Sequence, residues 1–452
     1  MSLNRRDAIK LGGLALASSA ISLEASTNKN IDYKAPLPET KNKRVVVVGG
    51  GWSGLSVAKN VKLLAPEVDV VLVESRYEFI SCPLSNLWLV DKVSLEYLTH
   101  DYIQAAKEYN YTFFNATATD LDKENQILKT SNGDIKYDYL VLSPGIDYDY
   151  SRWSKGDLAF EQRLYSEYPP AFKPGSEHLS LKNKIKNFKG GNFILTVPAG
   201  NYRCLPAPYE RACVIADYFK QNKIDGKVIL IDPNPTITIK EKGFSSAFKN
   251  LYSGYIEYLS GTEIEMIDLD NKVVHTEFEE IEFSDASFYP QVRGAKILER
   301  FGLAKTAKNL LEADIDPLTY EANGAKNVFI AGDARPMGFS KSGNTSLTEG
   351  RIVAAQVVSK MKTGKTLPWS SPTTQCFSAV SINPEKSIFV TTDYSYDPKD
   401  KTFDFYNTVL SEDIEKDGLQ NAEFLYGWAD AVYNDMLATK PKKKGLSPFF
   451  IE

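Results

Sequence analysis

Histidine is scarce in this 452-residue sequence: only His100, His178 and His275 occur, and none stands at a metal-ligand spacing, so no metal site is expected. No C-x-x-C-H segment is present, which excludes a c-type haem attached to this chain. Basic residues do not dominate: Lys and Arg total 53 against 58 Asp and Glu, for a formal net charge of −5. Without a basic stripe there is no footprint for nucleic acid. Internal repeats and low-complexity tracts are also missing. What remains is ordinary for a soluble globular protein, with 43% hydrophobic and 25% charged residues. The length calls for two or three domains rather than one core.

One stretch organises the chain. Arg44 to Val48 contains four consecutive valines, the pattern of a strand buried on both faces of a parallel sheet. Gly49, Gly51 and Gly54 follow on the spacing G-x-G-x-x-G, with Trp52 and Ser53 between them, and an apolar segment continues from Leu55 to Leu64. In a dinucleotide-binding unit the first glycine makes the tight turn and the second lets backbone approach a pyrophosphate. The third packs helix on strand, and the helix N-terminus holds the phosphate charge. A second apolar run, Val68 to Val73, ends at Glu74 and Ser75, where an acid can bind ribose hydroxyls.

Two later segments decide between FAD and NAD. Tyr137 to Gly145 reads as a buried strand ending in Ser143-Pro144-Gly145, and Asn327 to Asp333 as another ending in Gly332-Asp333. With the glycine motif these form the three FAD signatures of flavin disulfide reductases, in order. Between the first two, Ile127 to Asp134 predicts a hairpin turning at Asn132-Gly133. Gly191 to Val197 then reads as the first strand of a second nucleotide-binding-like unit, but no glycine motif follows it. Prolines 198, 206 and 208 and Cys204 occupy that place, and a helix is expected over Tyr209 to Phe219. NAD(P)H is therefore not the expected donor, and electrons are expected to enter through the cysteine of this loop.

The N-terminus reads as a targeting segment. Asn4-Arg5-Arg6-Asp7 resembles a twin-arginine export motif, and the apolar stretch from Leu11 to Ile21 is too short to span a bilayer. Residues 1–26 are expected to be a signal peptide that directs the protein to the periplasm, with 27–40 a linker. Export makes disulfides admissible. The four cysteines, Cys82, Cys204, Cys213 and Cys376, allow three pairings. Cys213, among apolar helical neighbours, is expected to pack as a small hydrophobe.

The chain resembles the flavoprotein subunit of flavocytochrome c sulfide dehydrogenase, a relative of sulfide:quinone reductases. The likeness runs from Lys43 to about Leu437. It rests on the FAD motifs, Cys82-Pro83-Leu84-Ser85-Asn86, Arg203-Cys204-Leu205-Pro206, Pro208-Tyr209-Glu210-Arg211-Ala212, Lys341-Ser342-Gly343 and Cys376. It implies FAD attached through a thioether at Cys82, although Pro83 directly after that cysteine is a local variation. It also implies a redox-active pair of Cys204 and Cys376 above the flavin, with Lys341, Ser342 and Gly343 at the cofactor. Sulfide would attack the disulfide, giving a persulfide and a thiolate. Arg203 would stabilise the Cys204 thiolate, and Glu210 would accept a proton. Electrons would pass to a c-type cytochrome subunit carrying the haem. A sulfide:quinone oxidoreductase and a non-catalytic FAD-containing sulfur carrier are the alternatives. The basic, then apolar tail from Lys440 allows peripheral membrane contact, which is not expected.

The expected architecture is α/β, with two Rossmann-like FAD/NAD(P)-type domains, the second degenerate, and a C-terminal α+β interface domain. Residues 41–152 and 292–366 form the split FAD domain, 153–291 the degenerate domain and 367–452 the interface domain. An aromatic-rich set in the last part (Phe403, Phe405, Tyr406, Phe424, Tyr426, Trp428 and Tyr433) is expected to be mostly core or sheet.

Overall fold

The computed structural model describes residues 33–307 and 310–439. The expected export segment and the tail from residue 440 lie outside the described residues. Strand β1 (Arg44–Val48) is followed by helix α1 (Trp52–Leu64), β2 (Asp69–Glu74), β3 (Thr112–Asn115) and β4 (Tyr139–Leu142). These strands lie parallel in the order β4-β1-β2-β3. The four valines of β1 are buried on both faces because the sheet is covered on both sides. The strand-to-helix turn depends on glycine. Gly49 has φ +100°, and a Cβ there would stand 2.3 Å from the carbonyl oxygen of Ser143; one on Gly54 would stand 1.8 Å from the Gly49 carbonyl.

The expected hairpin is present, with Ile127–Thr130 antiparallel to Ile135–Lys136. A second parallel sheet begins at β5 (Gly191–Thr196) and is built with β6 (Gly226–Asp232), β7 (Ile256–Ser260) and β8 (Asp285–Ser287), in the order β7-β6-β5-β8. Between β5 and β6 runs helix α2 (Ala207–Gln221), which starts two residues earlier than its sequence suggests. Pro206 is its N-cap and Pro208 sits in its first turn, where no backbone N–H is needed, so the prolines open this helix rather than delay it. Cys213 on α2 is fully buried.

Strand β9 (Val328–Ile330) returns the chain to the first sheet, pairing parallel with β4. Helix α3 (Gly343–Thr363) then packs along α1. An antiparallel sheet of β10 (Thr374–Ile382), β11 (Glu385–Asp397) and β12 (Thr402–Ser411) follows, and α4 (Gly418–Leu437) packs on β11. Strand β10 also lies against α2, which carries the last segment to the second sheet. Of the C-terminal aromatic set, Tyr426, Trp428 and Tyr433 are buried, whereas Phe405 and Tyr406 are exposed on edge strand β12. No helix among the described residues is long and apolar enough to cross a membrane.

Candidate functional site

Two cavities meet behind the loop that follows β2. The larger, of about 520 Å³, runs past the β1–α1 turn. Gly49, Gly51, Trp52 and Ser53 line it, with Glu74, Ser75, the Ser143-Pro144-Gly145 turn, Asp333 and Gly343. Helix α1 has no side-chain cap at Gly51 and no acid in its first turn, and a Cβ on Gly51 would meet open space. Its first N–H groups are therefore free for an anionic group. An elongated cavity with an uncapped helix N-terminus at one side and an acid at the end of the second strand fits FAD.

Glu74 accepts the Gly50 N–H at 2.6 Å and also the N–H groups of Arg76. Burial opposes its charge, but the Arg76 guanidinium and these bonds win and hold its carboxyl below the usual range. A carboxylate has further lone pairs for a ribose hydroxyl. Gly54 and Gly332 shape the cavity without lining it: Gly54 lets α1 approach β1, and Gly332 has φ +76° with its N–H donated to Glu349. The Lys341 side chain points elsewhere, paired with Glu312 at 2.7 Å and donating to the carbonyls of Asp333 and Arg335.

The segment from Lys341 to Thr345 fixes the second cavity instead. The Lys341 carbonyl accepts the Cys204 N–H at 2.6 Å. The Asn344 side-chain oxygen accepts the Gln375 N–H at 2.9 Å, and Thr345 bonds Thr374. Ser342 caps α3 through the Thr345 N–H. One short stretch thus positions both Cys204, in the β5–α2 loop, and Cys376, on β10. Cys204 is held at φ +60°, an unusual conformation for a non-glycine residue and one that clusters at functional sites.

This smaller cavity, of about 70 Å³, is lined by Cys82, Cys204, Cys376, Glu210, His178 and Trp428 among others. It has room for a few water-sized molecules. Cys82, Arg203 and Gly343 line both cavities and form the wall they share. All four cysteines are thiols in the structure. Burial pushes the Cys204 thiol well up, helped by charge on Cys376 and Glu210. Burial also raises Cys376, but there the Lys240 ammonium is the strongest opposing influence. Glu210 is pushed up to about 7 by burial, against the pull of Lys240. That value suits proton transfer near neutrality.

Arg203 lies at the wall. Its Nη2 donates to Cys82 Sγ at 3.3 Å, and its Nε faces Asp333 at 3.3 Å. It does favour the Cys204 thiolate, but less than Lys240 does, and its direct contacts are Cys82 and Asp333. Arg211, from the Pro208 to Ala212 motif, and His178, which no motif marks, also line the cavity, and Lys240 stands beside it. Lys240 reaches Cys376. Arg211 donates to Asn86 and to the carbonyls of Pro170 and Ala171. His178 is buried with neither ring nitrogen hydrogen-bonded. Burial, with Arg211 and Arg203 nearby, lowers its pKa to about 3, so the ring is neutral. No cluster of three or more His, Cys, Asp or Glu able to hold a metal occurs among the described residues.

Three family models match the chain. Residues 43–155 match the pyridine nucleotide-disulphide oxidoreductases. Residues 179–287 match the central part of the sulfide dehydrogenase (flavocytochrome c) flavoprotein chain, and 370–437 the flavocytochrome c sulphide dehydrogenase flavin-binding region. A flavoprotein chain of that sulfide dehydrogenase from Chlorobaculum thiosulfatiphilum is 54% identical over 44 residues, which are 10% of this chain and 92% of that one. The sulfide-quinone reductase of Aquifex aeolicus is 23% identical over 64% of this chain and 68% of its own. The mitochondrial sulfide:quinone oxidoreductase of Dictyostelium discoideum is 28% identical over 48% of this chain, and only 49% of its length is spanned. The solved sulfide:quinone oxidoreductase of Aquifex aeolicus superposes with a TM-score of 0.67 at 16% identity, over 90% of this chain and all of that one, and so shares the fold.

Proposed function

The chain belongs to the flavocytochrome c sulfide dehydrogenase flavoprotein family, and from that premise we propose that it oxidises sulfide at a Cys204–Cys376 disulfide and delivers the electrons through FAD to a c-type cytochrome subunit. The observation that carries this reading is the shared wall. A cavity suited to FAD and a small cavity holding Cys204 and Cys376, from distant segments, share Cys82, Arg203 and Gly343 in their linings. The chemistry FAD supplies when bound is acceptance of two electrons and their release one at a time.

Each step on the protein side has a residue. HS⁻ entering the small cavity meets Arg211 in its lining, with the Lys240 charge beyond it beside Cys376, and both charges offset its loss of solvation. Its attack on one sulfur of the disulfide forms a persulfide and releases the other sulfur as a thiolate. Glu210 takes up the proton that the incoming species sheds. His178, held neutral by burial, offers one N–H donor and one acceptor at the cavity wall. The likeness to the flavoprotein chain of a flavocytochrome c supports a separate haem-bearing partner, and the twin-arginine motif supports a periplasmic site of action. Attachment of FAD at Cys82 is part of the same reading, because Cys82 stands at the wall.

The test is acceptor choice. Purified protein with sulfide is expected to reduce a c-type cytochrome at least ~10-fold faster than a soluble quinone. The reverse preference would move the chain to the quinone reading, which the Aquifex and Dictyostelium relatives support. No flavin bleaching by sulfide would leave the sulfur-carrier reading.

A further inference from the structure

A disulfide offers two sulfurs to a nucleophile, and the small cavity treats them unequally. Lys240 stands just before the helix Glu241–Ser246, at φ +56°, and is 2% exposed. Its Nζ donates to Ser378 Oγ at 2.6 Å and to the Cys376 carbonyl at 3.2 Å, and lies 3.8 Å from Cys376 Sγ. A buried ammonium is costly unless an anion answers it. The bonds to Ser378 and to the Cys376 carbonyl are to neutral groups and hold Nζ beside the sulfur, so the anions that can answer the charge are Glu210 and a Cys376 thiolate. Cys204 has no such cation in contact: its backbone is held by Lys341, and Arg203 beside it is spent on Cys82 and Asp333.

We propose that Lys240 is a catalytic residue that makes Cys376 the leaving sulfur and so fixes Cys204 as the sulfur that is attacked. This inference rests on the disulfide reading above. HS⁻ forms a new S–S bond to Cys204 Sγ while the Cys204–Cys376 bond breaks. The electron pair of the broken bond stays on Cys376 as a thiolate beside the ammonium, and Cys204 carries the persulfide, whose one proton is the one that passes to Glu210. A disulfide loses the thiolate of lower pKa faster. The groups that face Cys376 set this order: Lys240 favours its thiolate, whereas Glu210 from α2 opposes it. For Cys204 the charges on Cys376 and Glu210 both oppose the thiolate and come ahead of the help from Lys240 and Arg203.

Two measurements on the holoprotein test this. In the first, the protein is reduced with a phosphine, and alkylation of Cys376 is followed by mass spectrometry across pH. Lys240→Met is expected to raise the inflection by ~1 unit or more, and Lys240→Arg to restore most of it. In the second, oxidised protein is mixed with sulfide and alkylated. The persulfide is expected on Cys204 in the unaltered protein and on both cysteines in Lys240→Met. Melting temperature and flavin content identify folded variants. If Lys240→Met does not fold, Ser378→Ala, which removes the group that aims Nζ, is read in the same way with a smaller shift. An unmoved Cys376 inflection in a folded variant overturns the role of Lys240. A persulfide on neither cysteine overturns the disulfide reading instead, and the Cys376 titration still judges Lys240.

Discussion

The guanidinium of Arg203 and the sulfur of Cys82 lie 3.3 Å apart, although 121 positions separate them in the sequence. Arg203 also faces Asp333, so one side chain ties the β5–α2 loop to two cofactor-side residues. Burial works against its charge, yet Cys82 and Asp333 outweigh burial and raise its pKa. Arg203→Leu is expected to leave Asp333 buried without its cation and Cys82 without its donor. The fraction of flavin that stays on the polypeptide after acid denaturation should fall by more than half. Arg203→Lys should keep the charge but lose the two-sided contact, and fall between. Full retention in Arg203→Leu would remove Arg203 from flavin attachment.

Replacing either redox cysteine should separate sulfur chemistry from cofactor binding. Cys204→Ser and Cys376→Ser lie outside the larger cavity, so both should keep FAD and remain reducible by dithionite. Sulfide should no longer bleach the flavin in either, a loss of at least ~100-fold, because no S–S bond remains to attack. Near-normal bleaching in Cys204→Ser would end the disulfide mechanism.

Glu210 should be visible in two pH profiles. Its folded carboxyl is raised from the usual 4.5 to about 7. Sulfide-dependent flavin reduction should therefore carry an inflection near 7 that is missing in Glu210→Gln. The same shift has a stability sign. The folded state binds more protons between the two values, so ionising Glu210 costs stability progressively as pH rises from 4.5 through 7. Above pH 7 that cost reaches at most ~3 kcal/mol, and Glu210→Gln should unfold later than the parent there. Equal denaturation midpoints at pH 5 and pH 8 for the pair would contradict the assignment.

His178 predicts acid sensitivity. Its pKa falls from 6.5 to about 3 on folding, so the unfolded chain binds the extra proton as pH drops below 6.5. Stability from this group is fully present above 6.5 and is lost at up to ~1.4 kcal/mol per pH unit on the way down to about 3. Urea midpoints at pH 7 and pH 5, compared between the parent and His178→Gln, should show the smaller drop in the variant. A parallel drop in both would place the acid sensitivity elsewhere.

The parts of the site that the sequence reveals are those made within one short segment. The β1–α1 turn is legible because glycine spacing, buried strand and helix occupy fewer than thirty residues, and the steric demands at Gly49 and Gly54 are local. The strand β9 is legible for the same reason. Lys240 is not, since one lysine among many acquires its meaning only when the third sheet brings Cys376 and Ser378 beside it. His178 is equally silent, a histidine on a helix whose surroundings come from α2 and the loop at Cys82. The Lys341-Ser342-Gly343 motif points to the right neighbourhood with a different division of labour. Gly343 borders the cofactor cavity, whereas the Lys341 side chain supports the interior and its backbone anchors Cys204. A motif marks a position in the chain, and the direction of each side chain is decided by what folds against it.

The residues common to the two cavities come from three separate segments of the chain. Three residues cannot seal a passage by themselves, and the cofactor seated against Cys82 and Gly343 would supply the missing panel. A protein depleted of that cofactor would then present the two cavities as one, and a persulfide formed in the smaller would be open to thiols in the larger.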